Sequence, residues 1–131
     1  MDKKTRNFLA AGFVFLCIAG CLLHFFYDFT GKDPLAGLIS PVSESPWEHL
    51  KLLYFPALLM TAAGWLILRE KRGTLPAAMS AGVWAGMFTI LDIFYFYTGV
   101  LGRHLLAMDL FSFAAGATVT CLVAARVLRR P

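Results

Sequence analysis

Eight side chains in this sequence are of types suited to proton transfer or ligand binding: His24, Asp28, Glu44, Glu48, His49, Asp92, His104 and Asp109. Tyr95 joins them, because it follows Asp92 by three residues on the same helical face, where a hydrogen-bond partner would stand. Imidazole titrates near neutrality, and imidazole with carboxylate is a usual ligand set for zinc and iron. His24, His49, His104 and Glu48 are therefore the candidates for a metal site, and two of the histidines could ligate a haem from opposite sides. No HExxH or ExxH spacing selects a particular ion. The cofactor stays open.

Asp92 and Asp109 are the sharpest of these residues. Each is the one charged residue of an apolar stretch, Leu75–Tyr97 and Leu105–Ala125. A carboxylate inside a membrane span costs roughly 2.5–3.5 kcal/mol on insertion scales and usually faces the bundle interior or a watery cavity. Two such groups side by side cannot both ionise cheaply, so the pair is expected to share a proton or hold a cation. The plainer alternative is that each only packs, satisfied by Arg103, Lys51 or a tyrosine.

The elements that must position these groups follow from composition. Of the 131 residues, 59% are hydrophobic and 15% charged, where a soluble domain carries about 25% charged. Four apolar spans account for the excess: Phe8–Phe26, Leu52–Leu68, Leu75–Tyr97 and Leu105–Ala125. Each approaches the ~20 residues that a helix needs to cross the hydrocarbon core, where unpaired backbone excludes isolated strands. The expected fold is all-α. It is a single membrane domain over residues 1–131, a four-transmembrane-helix bundle with helices near 7–28, 46–69, 75–98 and 104–127.

The net charge of +4 would suit nucleic acid, but its placement argues against that partner. Nine of the twelve Lys and Arg residues lie at the N-terminus, the second connection and the C-terminus; only Lys32, Lys51 and Arg103 lie at the other two connections. The positive-inside rule then puts both termini in the cytoplasm of a multi-pass protein of the cell membrane. All three histidines and six of the eight acids gather at the opposite, outer end. At about 1.5 Å per residue, Asp92 lies about 8 Å below a helix end at Tyr97, and Asp109 about 8 Å below a start at His104. Equal depth on consecutive antiparallel helices lets them meet.

Local signals refine this picture. Ser45 suits a helix N-cap, Pro46 the first helical position and Glu48 the third, which together spell a capping box. Pro56, one turn into the second span, removes the hydrogen bond to the Leu52 carbonyl and is expected to kink the helix. Gly82-x-x-x-Gly86 and Ser112-x-x-x-Gly116-x-x-x-Thr120 are small-residue seams for close packing, within the bundle or in a homo-oligomer. Lys3-Lys4-Thr5-Arg6 before an apolar run has the layout of a signal peptide, and Ile18-Ala19-Gly20-Cys21 has the form of a lipobox. Because the apolar run continues to Phe26, an uncleaved first helix is expected. Cys17, Cys21, His24 and Asp28 share one face of it, without a CxxC to support a metal ladder.

"SPVSESPWEHLKLLYFP", residues 40–56, resembles the hallmark of an uncharacterised family of small four-helix membrane proteins of bacteria and archaea. Its members tend to read S-P-V-N-E-S-V-W-E-H-L-K-L-L-F-F-P. The resemblance extends to His24-Phe25-Phe26-Tyr27, to Tyr97-Thr98-Gly99-x-x-Gly102 and to Asp109. This sequence departs in Ser43 for the usual Asn and Pro46 for the usual Val. The resemblance implies a fold and a topology, and no mechanism.

Three functions fit an outward-facing pocket of histidines and carboxylates in a lipid bilayer. The first is binding or transport of a cation, a proton or a small polar solute. The second is an enzyme, metal-dependent or not, acting on a lipid or extracytoplasmic substrate. The third is a structural subunit whose acids pair with another chain.

Overall fold

Apolar stretches that cannot leave backbone groups unpaired in lipid must coil, and caps and glycines decide where the coils stop. The structure is a computed structural model that describes residues 1–43 and 45–130. It contains α1 (Lys3–Phe29), α2 (Ala36–Ile39), α3 (Pro46–His49), α4 (Lys51–Ile67), α5 (Leu75–Leu101) and α6 (Leu106–Leu128). A 3-10 turn at Arg69–Lys71 joins α4 to α5, and no strand occurs among the described residues. Helices α3 and α4 meet at Leu50 and form one span, Pro46–Ile67. With it, α1, α5 and α6 make four helices long and apolar enough to cross a membrane, of 27, 22, 27 and 23 residues in chain order.

Consecutive spans pack side by side, and the ring closes between α1 and α6. That is an up-down-up-down bundle with short connections, which suits antiparallel neighbours. Leu16, Leu53, Leu75, Met79 and Leu128 are fully buried within it. Outside, Ile18, Leu22, Leu59, Trp84, Phe88, Phe96, Phe111 and Leu122 are exposed. An apolar surface of that extent is a liability in water and ordinary in lipid.

Helix α5 packs most extensively against α6, and the small-residue seams explain why. A Cβ on Gly86 would stand 2.5 Å from the Gly116 carbonyl oxygen, and one on Gly116 2.9 Å from the Gly86 carbonyl oxygen. The two backbones touch, so these seams serve contact within the bundle. Thr120 is buried between them, its hydroxyl donating to the Gly116 carbonyl at 2.9 Å.

The helix ends differ from expectation in ways that matter for the site. Helix α5 runs on to Leu101 and stops at Gly102, whose left-handed φ of 71° lets its N–H cap the Thr98 carbonyl. Ser45 occupies the N-cap position of α3 and Pro46 starts the helix, but the capping box does not close, because the Ser45 side chain makes no cap hydrogen bond. The Glu48 carboxylate accepts instead from the Val42 N–H at 3.3 Å and from Lys51 Nζ at 2.6 Å. Helix α4 continues through Pro56, and α1 runs unbroken through Cys21.

Candidate functional site

The site lies where the C-terminal ends of α1 and α5 meet the N-terminal ends of α3 and α6. The long connection between α1 and α3 must fold back for this to happen, and Ser40 pins it. The buried Ser40 hydroxyl donates to the Leu23 carbonyl at 2.6 Å and accepts the Tyr27 N–H at 3.1 Å. Those are the two groups that an α-helix would pair with each other, so the hydroxyl bonds both members of one rung of α1. Lys51 adds a second tie, donating to the Gly37 carbonyl at 2.9 Å while it bonds Glu48.

With the connection held, His49 reaches α1. Its Nε2 lies 3.2 Å from His24 Nε2, and its Nδ1 lies 2.8 Å from the Ser45 carbonyl oxygen. A carbonyl only accepts, so His49 Nδ1 carries a proton. In the neutral ring Nε2 is then the acceptor, and His24 donates to it through its own Nε2–H. His24 Nδ1 is buried without a hydrogen-bond partner among the described residues.

A second polar group faces this pair from α5 and α6. The Tyr97 hydroxyl donates to Asp109 Oδ1 and accepts the Leu105 N–H at 3.3 Å. His104 Nδ1 lies 3.2 Å from Asp109 Oδ2. In the neutral ring the carboxylate fixes Nδ1–H towards it, and Nε2 is then the nitrogen that carries the lone pair. His104 and Asp109 side chains are 59% and 32% exposed, so solvent weakens their attraction if the ring is charged.

His24, His49, His104 and Asp109 all line one cavity of about 180 Å³. Cys21 and Ser112 complete its polar lining, and Phe25, Phe94, Leu110 and Phe113 give it an apolar wall. Its size is near that of an apolar cavity of ~150 Å³ that holds benzene. Of the expected site residues, these four are brought together.

The others are not. Asp92 is exposed on α5, about 14 Å below Leu101 at about 1.5 Å per residue. The longer helix sets Tyr97, rather than Asp92, beside Asp109, and no shared acid pair forms. Tyr95 accepts from Trp47 Nε1 at 3.0 Å and does not serve Asp92. Asp28 is exposed and lines no part of the cavity. Glu48 is engaged by Lys51 outside it. Glu44 lies outside the described residues.

The metal and haem readings fare poorly by geometry. Two nitrogens on one tetrahedral zinc stand about 3.3 Å apart, close to the His24–His49 separation of 3.2 Å. Yet no three His, Cys, Asp or Glu among the described residues are placed to hold an ion together. His24, His49, His104 and Glu48 do not form such a group in this structure. Axial haem ligands need the iron and its macrocycle between them, and these rings bond each other directly. Ser40, Cys21, Tyr97 and Ser112 were absent from the expected site. Cys21 carried a signal in sharing a helical face with His24, and Tyr97 as a polar aromatic near the end of its helix.

Fold and surface define a multi-pass, all-helical protein with four helices able to span a membrane. The chain belongs to a family of unknown function, DUF6512, whose model matches residues 1–129. No curated protein and no solved structure matches it.

Proposed function

We propose that this protein binds a small, partly apolar solute in the outer-end cavity and exchanges a proton with it through His104 and Asp109. The observation that carries this reading is the lining: a His–His pair and a His–Asp pair set into an aromatic wall around about 180 Å³. The Lys/Arg asymmetry supports an outward-facing site in the cell membrane, with both termini cytoplasmic. Beneath the cavity, Leu16, Leu53 and Met79 fill the core. That favours a binding site over a conducting path.

A second reading is acid–base catalysis on a lipid-borne or extracytoplasmic substrate. It is favoured by the carboxylate-oriented His104, whose free Nε2 is disposed as a general base.

Phenol and benzene separate a polar-plus-apolar site from a merely greasy one. Phenol is expected to raise the melting temperature of the purified protein more than benzene does, as any ligand of the folded state must. Asp109→Asn should reduce the phenol effect and leave the benzene effect. Cys21→Phe, which adds a ring to the cavity lining, should abolish both while the protein stays folded. Equal effects of the two probes on parent and Asp109→Asn would overturn the proposal.

A further inference from the structure

Ala77, Ala81, Trp84, Phe88, Asp92 and Tyr95 are all exposed and recur along one face of α5 at spacings of three and four residues. Apolar side chains on such a face are solvated by lipid and mean nothing by themselves. Asp92 is different. Phe88 is the midpoint of α5, and Asp92 lies four residues beyond it, about 6 Å along the axis. The hydrocarbon core reaches about 15 Å to either side of its midplane. An exposed carboxyl at that depth faces lipid, where ionisable groups are almost never left. It has no hydrogen-bond or ion-pair partner among the described residues.

Protein must cover it, and the sequence narrows what that protein offers. No Lys or Arg lies between residues 73 and 102, nor within the apolar interior of any other span. Another copy of this chain therefore brings no cation to that depth. It does bring its own Asp92. Copies inserted by one charge rule share an orientation, so a twofold axis along the membrane normal sets each residue of this face against itself at equal depth. A carboxylic acid both donates and accepts, and two of them sharing a proton satisfy each other. We propose that this face of α5 is where a second copy docks, with the two Asp92 carboxyls paired at the axis. A single polar residue in an apolar seam also fixes register, since every slip leaves it unpaired.

Cysteine cross-linking in membranes tests this, in a background where Cys17, Cys21 and Cys121 are alanine. Ala81→Cys and Phe88→Cys should each give a disulfide-linked dimer on oxidation. Leu22→Cys on α1 and Leu122→Cys on α6, equally exposed to lipid, should not. Asp92→Asn keeps a donor and an acceptor and should keep the dimer, whereas Asp92→Leu should weaken it at least tenfold. Cross-linking at all four positions alike, or at none of them, would overturn the proposal. So would a monomeric mass for the parent in mild detergent, or an unchanged dimer in Asp92→Leu.

Discussion

His24 and His49 face each other Nε2 to Nε2 across 3.2 Å, joining the first span to the start of the second. Because the Ser45 carbonyl holds His49 Nδ1–H at 2.8 Å, the chain of donors runs in one direction in the neutral pair, from His24 to His49 to Ser45. Imidazole 15N shifts should report His49 as the Nδ1–H tautomer and His24 as the Nε2–H tautomer. A double-mutant cycle of His24→Ala and His49→Ala should show coupling of about 0.5–3 kcal/mol. Additive single effects would mean that the contact is fortuitous.

The seam between α5 and α6 predicts a sharp contrast among glycines of one helix. Gly86→Ala drives a methyl group against the Gly116 backbone, which cannot give way as a side chain could. A loss of about 1–3 kcal/mol is expected in reversible unfolding in detergent. Gly99→Ala meets nothing within 4 Å and should gain about 0.5–1 kcal/mol from its better helix propensity. Equal effects at both positions would refute the close backbone approach.

Lys51 ties Glu48 to the Gly37 carbonyl, and its two bonds have different worth. Glu48→Gln loses a partly exposed ion pair, with side chains 26% and 28% exposed, and should cost about 0.2–1 kcal/mol. Its amide oxygen can still accept from Val42. Lys51→Met also strands the Gly37 carbonyl and should loosen the whole connection. Limited trypsin cleavage at Lys32 should be faster in Lys51→Met than in Glu48→Gln, and the reverse order would count against the tie.

Asp2 caps α1, accepting from the Thr5 N–H at 2.7 Å and the Thr5 hydroxyl at 2.8 Å. These bonds favour the ionised form and hold its carboxyl below the usual value of 3.8. A depressed pKa gives stability that is present above the unfolded value and lost as pH falls through the folded one. The first turn of α1 should therefore fray only in acid, below about pH 4. Asp2→Asn should cap nearly as well without the pH dependence. Thr5 amide protection, followed from pH 6 to pH 3, distinguishes the two.

The spans were legible because twenty apolar residues in a row admit one structure in lipid. The seams were legible too, since small residues at i and i+4 must lie on one face. What failed was depth and direction around α5. Phe94–Tyr97 resembles an interfacial belt, and nothing in those aromatics announces that the helix continues. Gly102 is the stop signal, and counting back from it places Asp92 correctly. Tyr95 and Tyr97 lie 200° apart at 100° per residue, so one must point out when the other points in. A helix apolar on every side gives little to say which. His24, His49 and Ser40 come together only after the connection that follows α1 folds back, and no local periodicity encodes that return.

The Ser40 contact with α1 has a bearing on motion. Both backbone partners of the hydroxyl, the Leu23 carbonyl and the Tyr27 N–H, are natural mates of each other. When Ser40 withdraws, they can satisfy each other and no backbone group is orphaned in lipid. The fastening is thus a reversible clasp, whose opening costs little beyond the bonds of the hydroxyl itself. Local opening of the connection can then occur far below the energy of global unfolding. That connection leads into α3, which carries His49 against His24 in the cavity wall.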